Sequence, residues 1–378
     1  MKRCSKCVMP ETWESINFGE EGVCNICKNI KIKQEVIDWD IKNKELNELV
    51  EKYKGKGQYD CIVPISGGKD SSFTLNHIVT RLGLKPLVVC FDHGFYRPRV
   101  IANRDKMLKK LGVDFILFKP NWHIVQKLML ESLKRKGDFC WHCHTGVFAY
   151  PMQIAVKFKI PLIFWGEPSS EYGGYYTYGE DDEEVDERRF NMFVNLGITA
   201  EDMLGMLDDK VTMRDLEPFK YPSISELRSL KCRSVCLGSF IPWNPRDNSD
   251  VIKKELDWEG EEVEGVPPGY DYEKIECQLQ GIRDYIKFIK RGLGRTAHLT
   301  SIDVRNGLMD RETALKLTEE YDGKRPASLD HFLNIMGMTE EEFMKIAVSH
   351  VVSPDVHDHS KVQPSKKLWD QDKWDKTK

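Results

Sequence analysis

No uninterrupted apolar run in the 378 residues reaches the ~18 that a membrane-spanning helix needs. The opening stretch MKRCSKCVMPETW has no apolar core of a signal peptide. We therefore read the chain as cytoplasmic, with no membrane span. It lacks an excess of either charge as well. The 56 Lys and Arg stand against 60 Asp and Glu, for a net charge of −4 and a pI of about 6.2. That balance argues against a general nucleic-acid binder. There is no GxGxxG fingerprint, which disfavours a dinucleotide fold, no Walker-type GxxxxGK loop and no internal repeat. Cysteine is not lacking. Eleven cysteines in a cytosolic chain favour metal binding or chemistry over disulfides.

Past a charged helical segment at roughly 29–56, short apolar runs alternate with amphipathic ones. The pattern predicts strands over 59–65, 86–92, 114–118 and 160–167. It predicts helices over 69–82, 97–111, 121–136 and 146–158. Such β-α-β alternation implies a parallel sheet with right-handed crossovers. Ligands of such sheets bind beyond the strands' C-terminal ends, so Ser66–Ser72, Asp92–Gly94 and Gly166–Glu167 should face one crevice. The stretch SSEYGGYYTYGEDDEEVDE reads as a long loop, with the acidic run 180–187 as a solvated face. From about 200 the alternation fades, and helices are expected near 200–208, 223–230, 273–291, 311–321, 328–336 and 339–348.

The first strand runs into Ser66-Gly67-Gly68-Lys69-Asp70-Ser71-Ser72. Two glycines let backbone amides approach a ligand closely. The helix N-terminus that follows carries unpaired N–H groups and a positive dipole end. Lys69 adds a charge, and the three serines add hydroxyls. Together they suit an anion of pyrophosphate size. A plain strand-to-helix turn capped by Asp70 or Ser71 is the simpler alternative. Its place after the first buried strand, with a lysine and three serines, favours the phosphate site.

SGGKDSS resembles the PP-loop of the ATP pyrophosphatase superfamily, an α/β fold with a Rossmann-like parallel sheet. Those enzymes adenylate a carbonyl-type oxygen and release pyrophosphate. The resemblance implies that Ser66, Gly67, Gly68, Lys69, Asp70, Ser71 and Ser72 bind ATP, and that Asp70 helps place Mg²⁺. Lys69 and Asp70 become the candidate catalytic residues. CFDHG at 90–94 is similar to the family's second strand end, which puts Asp92 beside the adenosine, and Gly166 closes the same crevice. More specifically, RCSKCVMPET, CNIC, DFCWHCHTG, LIFWGE, the run DYIKFIKRGLGRTAHLTSIDVRNGLMDRETALKL and EYDGKRPASLDHFLNIMGMTEEEF resemble the N-acetyl sugar amidotransferases. These act in bacterial surface-polysaccharide (LPS O-antigen) and nonulosonate pathways and turn an acetamido group into an acetamidino group.

That resemblance implies several things about ligands and partners. The substrate would be an N-acetylated sugar, with or without a nucleotide. Glu167 and Tyr172, with Tyr175 and Tyr176 as a lid or as packed loop aromatics, would serve the sugar. So would Lys287 on a basic helix, and Arg295 and Arg305 in the loop GLGRTAHLTSIDVRNG. A basic solvated face is the alternative for any one of these cations. No stretch is left for a glutaminase domain, so ammonia would come from separate glutaminase and cyclase-like subunits. Two other readings are a PP-loop tRNA thiolase and a non-catalytic ATP-binding subunit. The C-terminal segments and the acidic pI weigh against the first, and the intact SGGKDSS against the second.

Cys4-x₂-Cys7-x₁₆-Cys24-x₂-Cys27 has zinc-ribbon spacing, with all four positions of a Zn²⁺ ion filled by protein and hence a structural role. Cys140-Trp-His-Cys143 is open between a second metal site (with Cys232 and Cys236), a redox pair and a packed turn. Cys61 and Cys90 fall in buried strands as core residues. The organisation expected is a four-cysteine module over 1–30, a PP-loop α/β domain over 31–200, a mainly helical sugar-binding or partner region over 201–352, and a polar tail over 353–378.

Overall fold

The computed structural model describes residues 1–13, 15–35, 37–166, 194–195, 197–208 and 210–352. The expectations placed on Glu167, Tyr172, Tyr175, Tyr176, the acidic run and the tail lie outside the described residues. Five strands, β1 (Cys61–Pro64), β2 (Pro86–Phe91), β3 (Asp114–Phe118), β4 (Leu162–Trp165) and β5 (Arg233–Cys236), form one sheet in the order β3-β2-β1-β4-β5. Every neighbouring pair is parallel. Strand order reverses between β1 and β4, and the crevice above that reversal is where a ligand of an open α/β sheet sits.

The central strands are buried on both faces, and alternate residues split between two cores. Cys61, Val63, Val88, Cys90, Leu162, Phe164 and Val235 face one layer. That layer holds α2 (Trp39–Tyr53), α3 (Lys69–Thr80), α4 (Pro98–Leu111) and a helix at Pro245–Leu256. Ile62, Leu87, Val89, Ile163, Trp165 and Cys236 face the other, against α6 (Trp141–Phe158) and the helix Ile224–Leu230. Helix α5 (Trp122–Lys136) joins a third core with the C-terminal helices, in which Val125, Met129 and Leu133 meet Ile282, Ile286, Phe332 and Phe343.

Several elements differ from the sequence reading. The segment 29–56 is two helices, α1 (Asn25–Glu35) and α2, the second capped by the Asp38 carboxylate. Helix α6 starts at Trp141, inside the Cys140–Cys143 motif. Arg233–Cys236, placed in the mainly helical region, is the fifth strand and pairs with β4. Four residues give too short a run to stand out among helices. The loop expected at GLGRTAHLTSIDVRNG is a helix, Arg295–Arg305. Nearly all of its residues are buried, polar ones included, so it shows no amphipathic stripe. The helix expected from 273 begins only at Gln280. Residues 273–279 instead run across the sheet's C-terminal edge, where Tyr96 and Cys277 form an isolated antiparallel bridge.

The N-terminal cysteine module docks on the C-terminal helices. Cys4, Cys7, Cys24 and Cys27 share a core with Leu293 and Ala297. Arg291 and Thr12 exchange hydrogen bonds of 2.7 and 2.6 Å, and Arg311 Nε donates to the carbonyls of Cys4 and Cys7 at 3.1 Å. No helix of the described residues is long and apolar enough to cross a membrane.

Candidate functional site

The turn from β1 to α3 takes its shape from its glycines. Gly67 has φ +97°, and a Cβ there would lie 2.8 Å from the Val100 carbonyl oxygen, so only glycine fits. Trp258 Nε1 donates to the Gly67 carbonyl at 2.9 Å and fixes the loop from outside. Gly68 is the N-cap of α3 and offers no side-chain cap. The Ser66 and Ser71 hydroxyls lie 3.2 Å apart. Ser71 accepts from the amides of Ser66 and Gly67, and Ser66 accepts from the amide of Gly68. Ser72 is buried beneath the turn.

Lys69 and Asp70 are buried, and Lys69 Nζ lies 2.7 Å from Asp70 Oδ2. The same ammonium lies 2.7 Å from Glu273 Oε2, whose residue is 2 % exposed. Arg295 continues the chain of charges. It stands 3.8 Å from Glu273 and forks onto Asp284 at 3.0 and 3.3 Å. Burial alone would push the Glu273 carboxyl up, but the charges of Lys69, Lys274 and Arg295 outweigh it and hold it at about 2. Glu276 lies against the loop itself, since a Cβ added to Gly68 would meet its Oε1 at 2.0 Å. Two carboxylates from 273–276 thus occupy the lysine and the glycine face where phosphate oxygens are expected.

The end of β4 closes on this turn, and the end of β2 makes contacts of its own. A Cβ at Gly166 would come within 3.0 Å of Thr74 Oγ1 and 3.4 Å of the Asp70 carbonyl, so β4 ends hard against the first turns of α3. Asp92 accepts from the Gly94 amide at 2.8 Å and pairs with Lys119 at 3.5 Å. Beside it His93 is buried against the Tyr96 ring, with centroids 4.2 Å apart. Burial lowers His93 to about 3 and His142 to about 4, so both imidazoles are neutral at pH 7.

The basic residues expected to meet a sugar separate into different places. Arg295 joins the Lys69–Glu273 network. Lys287 Nζ lies 4.0 Å from the Trp13 ring centroid, and burial together with Arg295 lowers it to about 7. The Arg305 guanidinium is buried and reaches Cys7 Sγ at 3.9 Å, so the structure does not bring it to the strand ends. Sequence reasoning missed Trp258, Glu273, Glu276 and Asp284. The two glutamates lie in a stretch read as helix, where an acidic residue looks like solvated surface. The turn signal Pro267-Pro268-Gly269 just upstream was the one cue to an irregular path.

At the N-terminus the Sγ atoms of Cys4, Cys7, Cys24 and Cys27 all lie within 4.8 Å of one another. The Cys4–Cys27 and Cys7–Cys24 pairs are both at 3.9 Å. Four thiolates about 2.3 Å from one tetrahedral ion stand about 3.8 Å apart, so this donor set fits a single metal ion. The amides of Cys7 and Cys24 donate to Cys4 Sγ at 3.4 and 3.3 Å, a second shell that steadies thiolate charge.

Comparison with known proteins places these features. Residues 269–378 match the family model described as LPS biosynthesis protein WbpG-like, C-terminal domain. The uncharacterized protein MJ1599 of Methanocaldococcus jannaschii is 27% identical over 166 residues, which is 43% of this chain. The match spans 58% of that relative's length. Two solved structures align at a TM-score of 0.34 and 12% identity. NMN synthetase from Francisella tularensis covers 80% of this chain and 98% of its own. The U34-tRNA thiolase NcsA from Methanococcus maripaludis, with its 4Fe–4S cluster, covers 90% and 99%. Glu273 and Glu276, which lie over the SGGKDSS turn, thus fall within the residues that are similar to the WbpG-like C-terminal domain of LPS biosynthesis proteins.

Proposed function

We propose that this chain is an ATP-dependent, AMP- and pyrophosphate-forming amidotransferase that converts the acetamido group of a sugar to an acetamidino group in LPS or related surface-glycan biosynthesis. The observation that carries the reading is the joining of two parts. The SGGKDSS turn at the sheet's switch point, with no side-chain N-cap, is covered directly by Glu273 and Glu276 of the segment that matches the WbpG-like model.

An amide is a poor electrophile because its nitrogen lone pair is delocalised into the carbonyl. Attack of the amide oxygen on the α-phosphorus of ATP forms an O–P bond and breaks the bond to pyrophosphate. The resulting imidate adenylate carries a good leaving group. Ammonia adds to its carbon, a proton is lost and AMP departs with the former amide oxygen, leaving an amidine. In this reading the Gly67–Ser72 amides and hydroxyls bind the β and γ phosphates, and Lys69 offsets their charge. Asp70 would hold Mg²⁺, which supplies charge neutralisation to the leaving pyrophosphate. Glu273 and Glu276 leave the cradle as phosphate enters. Arg295, set 3.8 Å from Glu273, then retains the neighbouring carboxylate. Lys287, over Trp13, would meet the sugar in this reading. Ammonia would be delivered by separate glutaminase and cyclase-like subunits, because bulk water would destroy the adenylate.

The test is mass analysis of free and nucleotide-linked N-acetyl sugars after incubation with ATP, Mg²⁺ and ammonium. Replacement of one oxygen by NH, with matching AMP, is expected in the wild type and absent in Lys69→Ala. Glutamine alone should give no product. Pyrophosphate exchange that depends on tRNA rather than sugar would overturn the assignment in favour of a thiolase.

A further inference from the structure

Residues 270–277 cross the SGGKDSS turn as a strap fixed at both ends. At one end the Tyr270 hydroxyl donates to Asp303 Oδ2 at 2.6 Å, and Arg246 holds the same carboxylate. At the other, Cys277 forms the bridge with Tyr96, and the Gln278 amide donates to the Phe95 carbonyl at 2.9 Å. Cys277 also packs beside Cys140 and Cys143, whereas Cys232 packs in another cluster. Tyr270, Tyr272 and Ile275 are buried in the same core as Val63 and Cys90.

Between these anchors two carboxylates face the turn. Glu273 Oε2 lies 2.7 Å from Lys69 Nζ, and Glu276 Oε1 fills the space beside Gly68. A carboxylate offers an ammonium the same anionic, hydrogen-bond-accepting edge that a phosphate does. The backbone between the two glutamates is unusual. Among the described residues, four that are not glycine have positive φ. Lys159, Lys231 and Asp257 sit at helix C-termini, a common place for the left-handed region. Lys274, at φ +53°, caps no helix. A side chain there is disfavoured and persists where its surroundings hold it, as in ligand clamps and switch segments. Glu273 also has a second cation within reach, Arg295 at 3.8 Å.

We propose that residues 270–277 are a built-in phosphate mimic that closes the loop in the absence of nucleotide, so that ATP binds in competition with Glu273 and Glu276. The inference rests on the reading of SGGKDSS as the ATP site and adds a regulation of that site. On opening, the buried tyrosines and Ile275 stay in the core. Glu273 passes from Lys69 to Arg295, Glu276 leaves Gly68, and the turn at Lys274 relaxes out of the left-handed region. Arg295 also forks onto Asp284, so filling of the cradle is transmitted to the helix Gln280–Arg291. A closed form that outnumbers the open one about ten to one weakens apparent binding about tenfold.

The experiment is ATP titration of the full chain by calorimetry, without added Mg²⁺ so that no metal bridge contributes. Glu273→Gln and Glu276→Ala should bind about tenfold tighter than wild type. Asp271→Asn removes a charge from the same strap, but its carboxylate faces Lys253 at 3.1 Å, and it should bind as wild type does. Amide hydrogen exchange of the wild type should slow over 66–72 and quicken over 270–277 when ATP is added. If Glu273→Gln does not fold, Glu276→Ala and the wild-type exchange carry the test. Unchanged or weaker binding in Glu276→Ala, equal tightening in Asp271→Asn, or exchange over 270–277 that is unchanged or slower with ATP would overturn the mimic and leave the ATP site standing. Absence of ATP binding in all four proteins would overturn the ATP site and the mimic together.

Discussion

The Lys69–Glu273 contact offers a quantitative test of how the C-terminal segment is tied to the loop. The two charged atoms are 2.7 Å apart and both side chains are 2 % exposed. A carboxyl held at about 2 against an ordinary 4.5 amounts to about 3 kcal/mol favouring the ionised, folded form. Because the folded value is the lower one, this stability is fully present above pH 4.5 and is lost as pH falls toward 2. Glu273→Gln leaves a buried ammonium with the Asp70 carboxylate still at 2.7 Å. Breaking a buried pair costs about 3–5 kcal/mol, and Asp70 keeps the loss near the lower end, about 3. Lys69→Met should cost a similar amount by leaving Asp70 and Glu273 facing each other. The double variant should lose about 3–4 kcal/mol rather than the sum, roughly 6, which is a coupling of about 2–3. Urea unfolding of the four proteins at pH 7 measures this. The gap between wild type and Glu273→Gln should be flat from pH 5 to 8 and narrow below pH 4.5. Additivity of the two substitutions within about 0.5 kcal/mol would refute the coupling.

Two further outcomes follow from the geometry. Cys24→Ser should remove the N-terminal metal and lower the thermal midpoint by several degrees, because the Arg291–Thr12 and Arg311–Cys4 contacts depend on that module's shape. Metal analysis that still finds one ion in the module would contradict this. Gly67→Ala should cost roughly 2 kcal/mol or more from φ +97° and the 2.8 Å approach to Val100. It should also weaken nucleotide binding, read by ATP titration, and unchanged affinity would separate that glycine from the phosphate site.

The residues that announce themselves in the sequence are those whose role is local. SGGKDSS is seven consecutive residues at a strand-to-helix turn, and the two CxxC knuckles each set two ligands three residues apart. Strands β1 to β4 are apolar runs between amphipathic helices, so their existence and parallel pairing follow from short-range patterning, while their order in the sheet came from the tertiary structure. What tertiary structure alone decided is long-range. Glu273 meets Lys69 across about two hundred residues of chain, Trp258 fixes the Gly67 carbonyl, Arg305 turns to Cys7, and Cys277 rather than Cys232 joins Cys140 and Cys143. The buried helix Arg295–Arg305 hides its period because polar residues on it are paired instead of solvated. The four-residue strand β5 takes its identity from the edge of β4 it pairs with. Periodicity reports how one segment divides between core and water. It does not report which distant partner satisfies a buried charge, and in this protein that choice shapes the site.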